Sequence, residues 1–208
     1  MSDAAGTVWN GTGILTDATG SWRVPIGWSV SVLALARDGF NIALLPVGGA
    51  TPRGTIDFGT KAATLRDVVV ELPATVLTSA LPGRAAIVLG GNLTFTASAF
   101  EWNGERGSGA LNVRWRDARL VAADTTADLG IVDVVLEPQG NRLAGRIGNS
   151  GGDVRIGGTI TAATTTIGID AEIAPLPATP PPVLRALAAL GTPDGTDAVR
   201  IAWHGSLR

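Results

Sequence analysis

Leu93-Thr94-Phe95-Thr96-Ala97-Ser98-Ala99 alternates apolar and polar side chains without a break. That period of two marks a strand with one face on a core and the other turned away, because successive strand side chains point to opposite faces. The same pattern recurs on both sides of this stretch. Leu111, Val113 and Trp115 alternate with Asn112, Arg114 and Arg116, and Val132, Val134 and Leu136 repeat the spacing. So do Ile167, Ile169, Ala171 and Ile173, and Ile56 and Phe58 within Gly54–Phe58. Near the end Val199, Ile201 and Trp203 alternate with Arg200, Ala202 and His204. The runs follow one another without long helical crossovers, so antiparallel pairing between consecutive strands is expected.

Turn dipeptides separate the runs: Asn10-Gly11, Asp38-Gly39, Gly48-Gly49, Gly90-Gly91, Asn103-Gly104, Gly140-Asn141 and Gly151-Gly152. Glycine and asparagine tolerate the positive φ that tight turns require. Two segments break the alternation. Pro73–Leu81 ends at Pro82-Gly83, and Pro182–Leu190 ends at Gly191. Proline at the start and glycine past the end punctuate helices. The expected fold is all-β, mainly an antiparallel meander, with two short helices. The pattern leaves open whether it closes as a sandwich or curves as an open half-pipe.

The 208 residues suit one domain spanning the whole chain, which can bury about 70% of its unfolded surface. Leu72-Pro73-Ala74-Thr75 recurs as Leu176-Pro177-Ala178-Thr179, and Trp-Asn-Gly occurs at Trp9–Gly11 and Trp102–Gly104. These echoes suggest two related halves, about residues 1–100 and 101–208. Aromatic residues make up only 5% and glycines number 28, a mixture that favours short strands and turns over long helices. Mean hydropathy is +0.28, high for a soluble chain. The net charge is −2 and no Lys/Arg-rich run appears, so nucleic acid is not an expected partner. Cysteine is absent, which excludes disulfides, thiolate catalysis and zinc-thiolate sites. The apolar run Val30–Ala36 falls well short of the ~20 residues of a membrane helix.

Gly148-Asn149-Ser150-Gly151-Gly152 resembles the surroundings of a nucleophilic serine. The chymotrypsin order needs a histidine before the serine, and the only one is His204, after it. The hydrolase order is formally available through Asp170, Asp194 or Asp197. Its serine, however, joins a strand to a helix, whereas Asp153-Val154-Arg155-Ile156 and Thr159-Ile160 read as strand, so a glycine-rich hairpin is expected. Gly54–Lys61 nearly matches a phosphate-binding loop, but the lysine sits one position late and the interior alternates as a strand. A lone His204 without cysteine cannot supply a usual zinc ligand set. Asp124, Asp128 and Asp133 fall in a segment read as a solvated loop rather than an acid–base pair. Of the six tryptophans, Trp9, Trp22, Trp28, Trp102, Trp115 and Trp203, the last two fall in phase with apolar neighbours and read as core anchors rather than sugar platforms. No catalytic, cofactor-binding or metal-binding residue is therefore named, and no enzyme activity or cofactor is expected.

Several stretches together resemble protein N of the bacterial type II secretion system. They are Gly6-Thr7-Val8-Trp9-Asn10-Gly11, Trp28-Ser29-Val30, and Leu72-Pro73-Ala74 with its helix to Leu81-Pro82. Further along come Leu111–Ala118, Leu184–Gly191 and Ile201-Ala202-Trp203-His204-Gly205, in the family's order. The resemblance implies a non-enzymatic accessory component of protein export, with a periplasmic β domain held at the inner membrane. It implies as partners the inner-membrane platform proteins and the outer-membrane secretin. The family's N-terminal membrane helix has no counterpart in this sequence, so membrane attachment is an expectation carried by the resemblance. Two other readings stand beside it. An open apolar β groove would hold lipid, and the tryptophans with Gly148–Gly152 would suit a carbohydrate-binding or hydrolytic domain.

Overall fold

The computed structural model describes residues 2–17, 20–31, 39–49, 51–60, 62–80, 87–122, 125–163, 165–188, 192–193 and 198–206. Alternation that favours strands in the sequence gives strands along most of this length. In chain order they are β1 (Ser2–Gly6), β2 (Asn10–Thr16), β3 (Arg23–Ser31), β4 (Gly39–Leu45), β5 (Arg53–Gly59) and β6 (Ala63–Pro73). Helix α1 (Thr75–Ala80) follows, then β7 (Ile87–Trp102), β8 (Gly107–Gly109), β9 (Leu111–Ala122), β10 (Thr125–Gln139), β11 (Arg142–Ser150), β12 (Val154–Ala162) and β13 (Thr166–Pro175). Helix α2 (Pro181–Ala188), β14 (Thr192–Pro193) and β15 (Val199–Ser206) complete the order. All the strands join one open antiparallel sheet, running from β1 to β7, on to β9 through β13, then β15 and finally β14, with β8 pairing β7 to the side. The meander is as expected, and it is one sheet rather than two facing ones.

A sheet this wide has to bend, and the bends are built from register breaks. Two residues of β6, Asp67 and Val68, oppose one of β5, Gly54, between Arg53↔Val69 and Thr55↔Arg66. Two of β9, Asp117 and Ala118, oppose one of β7, Gly91, between Gly90↔Arg119 and Asn92↔Arg116. An extra residue flips the side chains that follow to the other face and kinks the strand. Accordingly the inward positions of β9 run Leu111, Val113, Trp115 and then Ala118, Leu120. Each bulged strand carries an aspartate in the left-handed region, Asp67 at φ 49° and Asp117 at φ 50°. Opposite each stands a glycine with no room for a Cβ, which would lie 2.5 Å from the Val68 Cα at Gly54 and 2.4 Å from the Arg116 carbonyl oxygen at Gly91. Gly90-Gly91 is thus a bulge inside β7, not the turn its dipeptide suggests. Asn10-Gly11 likewise opens β2, while the turn falls at Thr7–Trp9, closed by the Thr7 amide on the Asn10 carbonyl at 2.8 Å. Gly48-Gly49, Asn103-Gly104, Gly140-Asn141 and Gly151-Gly152 do lie between strands; Asp38 is outside the described residues.

The helices are shorter than their punctuation suggests. Pro73 ends β6 rather than starting α1, and Pro181 rather than Pro182 opens α2; Leu81, Leu190 and Gly191 lie outside the described residues. Val183 and Leu187, one turn apart on α2, are both buried against strand residues including Leu129, Val132, Val154, Ile173 and Val199. A second cluster gathers Val68, Ala97, Phe100, Leu111 and Leu143. Helix α1 is tied to β7 by the Leu89 amide, which donates to Thr78 Oγ1 at 2.9 Å. Among the described residues no helix is long and apolar enough to cross a membrane.

Candidate functional site

The serine motif is a hairpin whose working residue is its neighbour. Ser150 ends β11, exposed, and Gly151 and Gly152 make the turn at φ 74° and 81°. The Asn149 amide donates to the carbonyls of Leu129 at 2.9 Å, Gly151 at 3.1 Å and Val154 at 2.8 Å, and its oxygen accepts from the Ile156 amide at 2.6 Å. One side chain thereby satisfies backbone groups of three adjoining segments. His204 faces Gly168 across the sheet, Gly168 faces Thr161, and Thr161 faces Ala144. Ser150 therefore lies three strand spacings and six residues from His204, roughly 14 Å across and 20 Å along the sheet. No base reaches that serine from β15, so the hydrolytic reading fails.

The acidic residues are placed by structure rather than chemistry. Asp128 and Asp133 sit within β10, not in a loop. Asp133 is a cross-strand partner of Arg114, which donates to it through Nε at 2.8 Å and through its terminal nitrogen at 3.3 Å; this pairing raises the Arg114 pKa. Asp128 accepts from the Gly130 amide at 2.8 Å, and its own amide donates to Asp153. Asp170 accepts from Arg200, at 2.9 Å from Nε and through a second guanidinium nitrogen. That hydrogen bond holds the Asp170 carboxyl below its ordinary range and raises Arg200. Asp124, Asp194, Asp197 and Lys61 lie outside the described residues. Among the described residues no group of three acidic or histidine side chains is placed to hold a metal ion.

Trp28, Trp115 and Trp203 serve packing. Trp28 donates to the Val8 carbonyl at 3.0 Å, and its ring lies over Gly11, where a Cβ would come within 2.6 Å of it. Trp115 donates to the Gly90 carbonyl at 2.8 Å and packs on the cluster beneath α2. Trp203, half-buried, lies back over Gly205. These contacts explain why glycine accompanies tryptophan in Gly6–Gly11 and in Trp203-His204-Gly205. Trp9 alone of the six is exposed. Open grooves of about 570 Å³ and 610 Å³ lie along the sheet, the first beside Val135, Glu137, Arg146 and Thr159, the second beside Arg23, Glu71 and Arg116.

Among the described residues, the exposed features suited to recognition include an apolar row and two sheet edges. Phe40, Phe58, Ala63 and Trp102 stand opposite one another across β4 to β7, with Phe40 51% and Phe58 48% exposed. At one edge β1 is five residues long, exposed from Asp3 to Gly6, and its register with β2 breaks between Ser2 and Ala5. At the other, β15 pairs with β13 without a break from Thr166↔Ser206 to Ile173↔Val199. On the outer side of β15, β14 meets only Arg200 and Val199. Among the described residues, Ile201–Ser206 has no outer strand. Sequence alternation located β15 but not its place at an edge, because strand order depends on pairing between distant segments.

A family model described as type II secretion system (T2SS), protein N, matches residues 1–202 of the chain. No curated protein and no solved structure matches it.

Proposed function

The chain belongs to the type II secretion system protein N family, and from that premise we propose that it is a non-enzymatic scaffold acting through its surfaces on the periplasmic side of the inner membrane. Its partners are the inner-membrane platform proteins and the outer-membrane secretin. The observation that carries the reading is the family match over residues 1–202. It is supported by a site chemistry in which Ser150, His204 and the acidic residues are spread across separate strands or engaged in structural bonds. Exposed strand edges give such a scaffold backbone groups with which other chains can pair. The chain acts as one domain, and its two strand–helix–strand units, β6-α1-β7 and β13-α2-β15, support two related halves.

The test is capture of the folded chain by the purified periplasmic domains of the secretin and of the platform proteins. Saturable binding to at least one is expected; folded protein that binds none of them contradicts the reading. A second reading, a hydrophobe-binding groove, is favoured by the exposed Phe40–Phe58 pair on the row that continues to Trp102. Native mass spectrometry of protein purified from membranes separates the two, since that reading requires co-purified lipid lost in Phe58→Asp.

A further inference from the structure

We propose that the free edge of β15 pairs antiparallel with the same edge of a second copy, joining two sheets across a two-fold axis. The inference rests on the reading of the chain as a surface-acting component and names one surface and its occupant. The two sheet edges differ in how they meet solvent. Natural edges are blunted by bulges, proline or covering segments. Edge strand β1 is blunted, with a register break, Asp3 at φ 51° and Gly6 at φ 101°. The upper part of β15 is covered by Thr192-Pro193. The stretch Ile201–Ser206 has neither device among the described residues: its register is regular and it contains no lysine, proline or acidic residue.

The stretch also complements itself. Its centre falls at Trp203–His204, so an antiparallel copy pairs these residues with themselves to within one step. Apolar faces match across the joint only if odd residues meet odd ones, because side chains alternate between faces. With Trp203 opposite the second copy's Trp203, Ile201 falls opposite Gly205 and Ala202 opposite His204, and the pairing stops there because Thr192 already pairs with Arg200. Ile201 of one copy then meets the Trp203 ring that lies over Gly205 in the other. No cation faces a cation, and Arg200 keeps its own Asp170. Pairing extends the cluster under α2, onto which Ile201 packs. Five residues of strand bury less than the ~1,000 Å² of a stable interface, so a weak, concentration-dependent dimer is expected.

The test uses the intact chain, whose lack of cysteine makes cross-linking specific. Light scattering during gel filtration should give a mass rising from 21.1 kDa towards twice that value as concentration increases. Ala202→Cys and His204→Cys are then made separately; both side chains are exposed, so circular dichroism should match the parent. Opposed residues of an antiparallel pair lie about 4.5–5.5 Å apart at Cα, within disulfide reach. Mixing the two variants under mild oxidation should give several-fold more cross-linked dimer than mixing Ala4→Cys on β1 with either. Monomer at every concentration, or equal cross-linking through Ala4→Cys, overturns the proposal. The two readings fail separately. A dimer that binds no secretion component removes only the partner reading, and a monomer that binds one removes only the pairing.

Discussion

The two edges of the sheet solve the same exposure problem in opposite ways. At β1 the strand is short, bulged and exposed, and its ion pair between Asp3 and Arg23 at 3.5 Å is exposed on both sides, so it adds little. At β15 the strand is regular and belongs to the core, with Val199 buried and Ile201 packed against the cluster under α2. A bulge in β15 would turn those side chains away from the cluster. The difference teaches that an edge can be blunted freely only where nothing is buried beneath it. Where the core reaches the last strand, the edge stays regular and is available for pairing.

Core truncations should separate the two ends most strongly. Ile173→Ala, beside β15 at a buried position, is expected to cost about 2–5 kcal/mol in urea unfolding. Ile14→Ala, at a half-buried position beside β1, is expected to cost roughly 1 kcal/mol because less apolar area leaves water. Equal losses would erase the distinction. Asn149→Ala should cost about 1–3 kcal/mol in the same measurement, since it strips partners from backbone groups of β10 and β12. A negligible change would show that the hairpin does not depend on this amide.

At the other edge, Trp28→Phe keeps an aromatic ring but removes the donor to Val8 and part of the indole that lies over Gly11. A loss of about 0.5–1.5 kcal/mol is expected. Amide exchange should speed up at Val30, whose N–H bonds the Trp9 carbonyl, and stay unchanged at Ile173. The smallest effect concerns Asp170. Its folded pKa lies below the ordinary 3.8 because Arg200 hydrogen-bonds the carboxylate, so its contribution is present above that value and lost as pH falls through the lower, folded one. The pair is exposed and largely screened by solvent. The urea midpoint of Asp170→Asn should therefore match the parent at pH 7 within repeat scatter, and any difference should disappear further below pH 3.8. A large loss at pH 7 would show that the β13–β15 edge is held by charge rather than by packing.

Much of the fold was legible because the period of two is local. Leu93–Ala99, Leu111–Arg116 and Ile167–Ile173 are all strands, and Asn149-Ser150-Gly151-Gly152 is the end of a strand and its hairpin. Local signals misled where one residue type serves two geometries. Gly90-Gly91 and Asn10-Gly11 have turn chemistry, yet the first forms a bulge and the second sits under Trp28, neither of which a dipeptide can distinguish from a turn. Asp128 and Asp133 read as loop from their polarity, but the buried side chains of Ala127, Leu129 and Val132 keep them in β10. The edges were not legible, since only the pairing order sets β15 between β13 and the two-residue β14 and, among the described residues, leaves the outer side of Ile201–Ser206 unpaired.

The central claim is that this chain acts through its surfaces, and first through the outer edge of β15. Amide hydrogen exchange on the intact chain, compared at low and high protein concentration, tests it most directly. The account predicts that part of the amide set in Ile201–Ser206 slows several-fold as concentration rises, while Ser2–Gly6 is unchanged. Exchange independent of concentration throughout β15, or equal slowing at both edges, would contradict it.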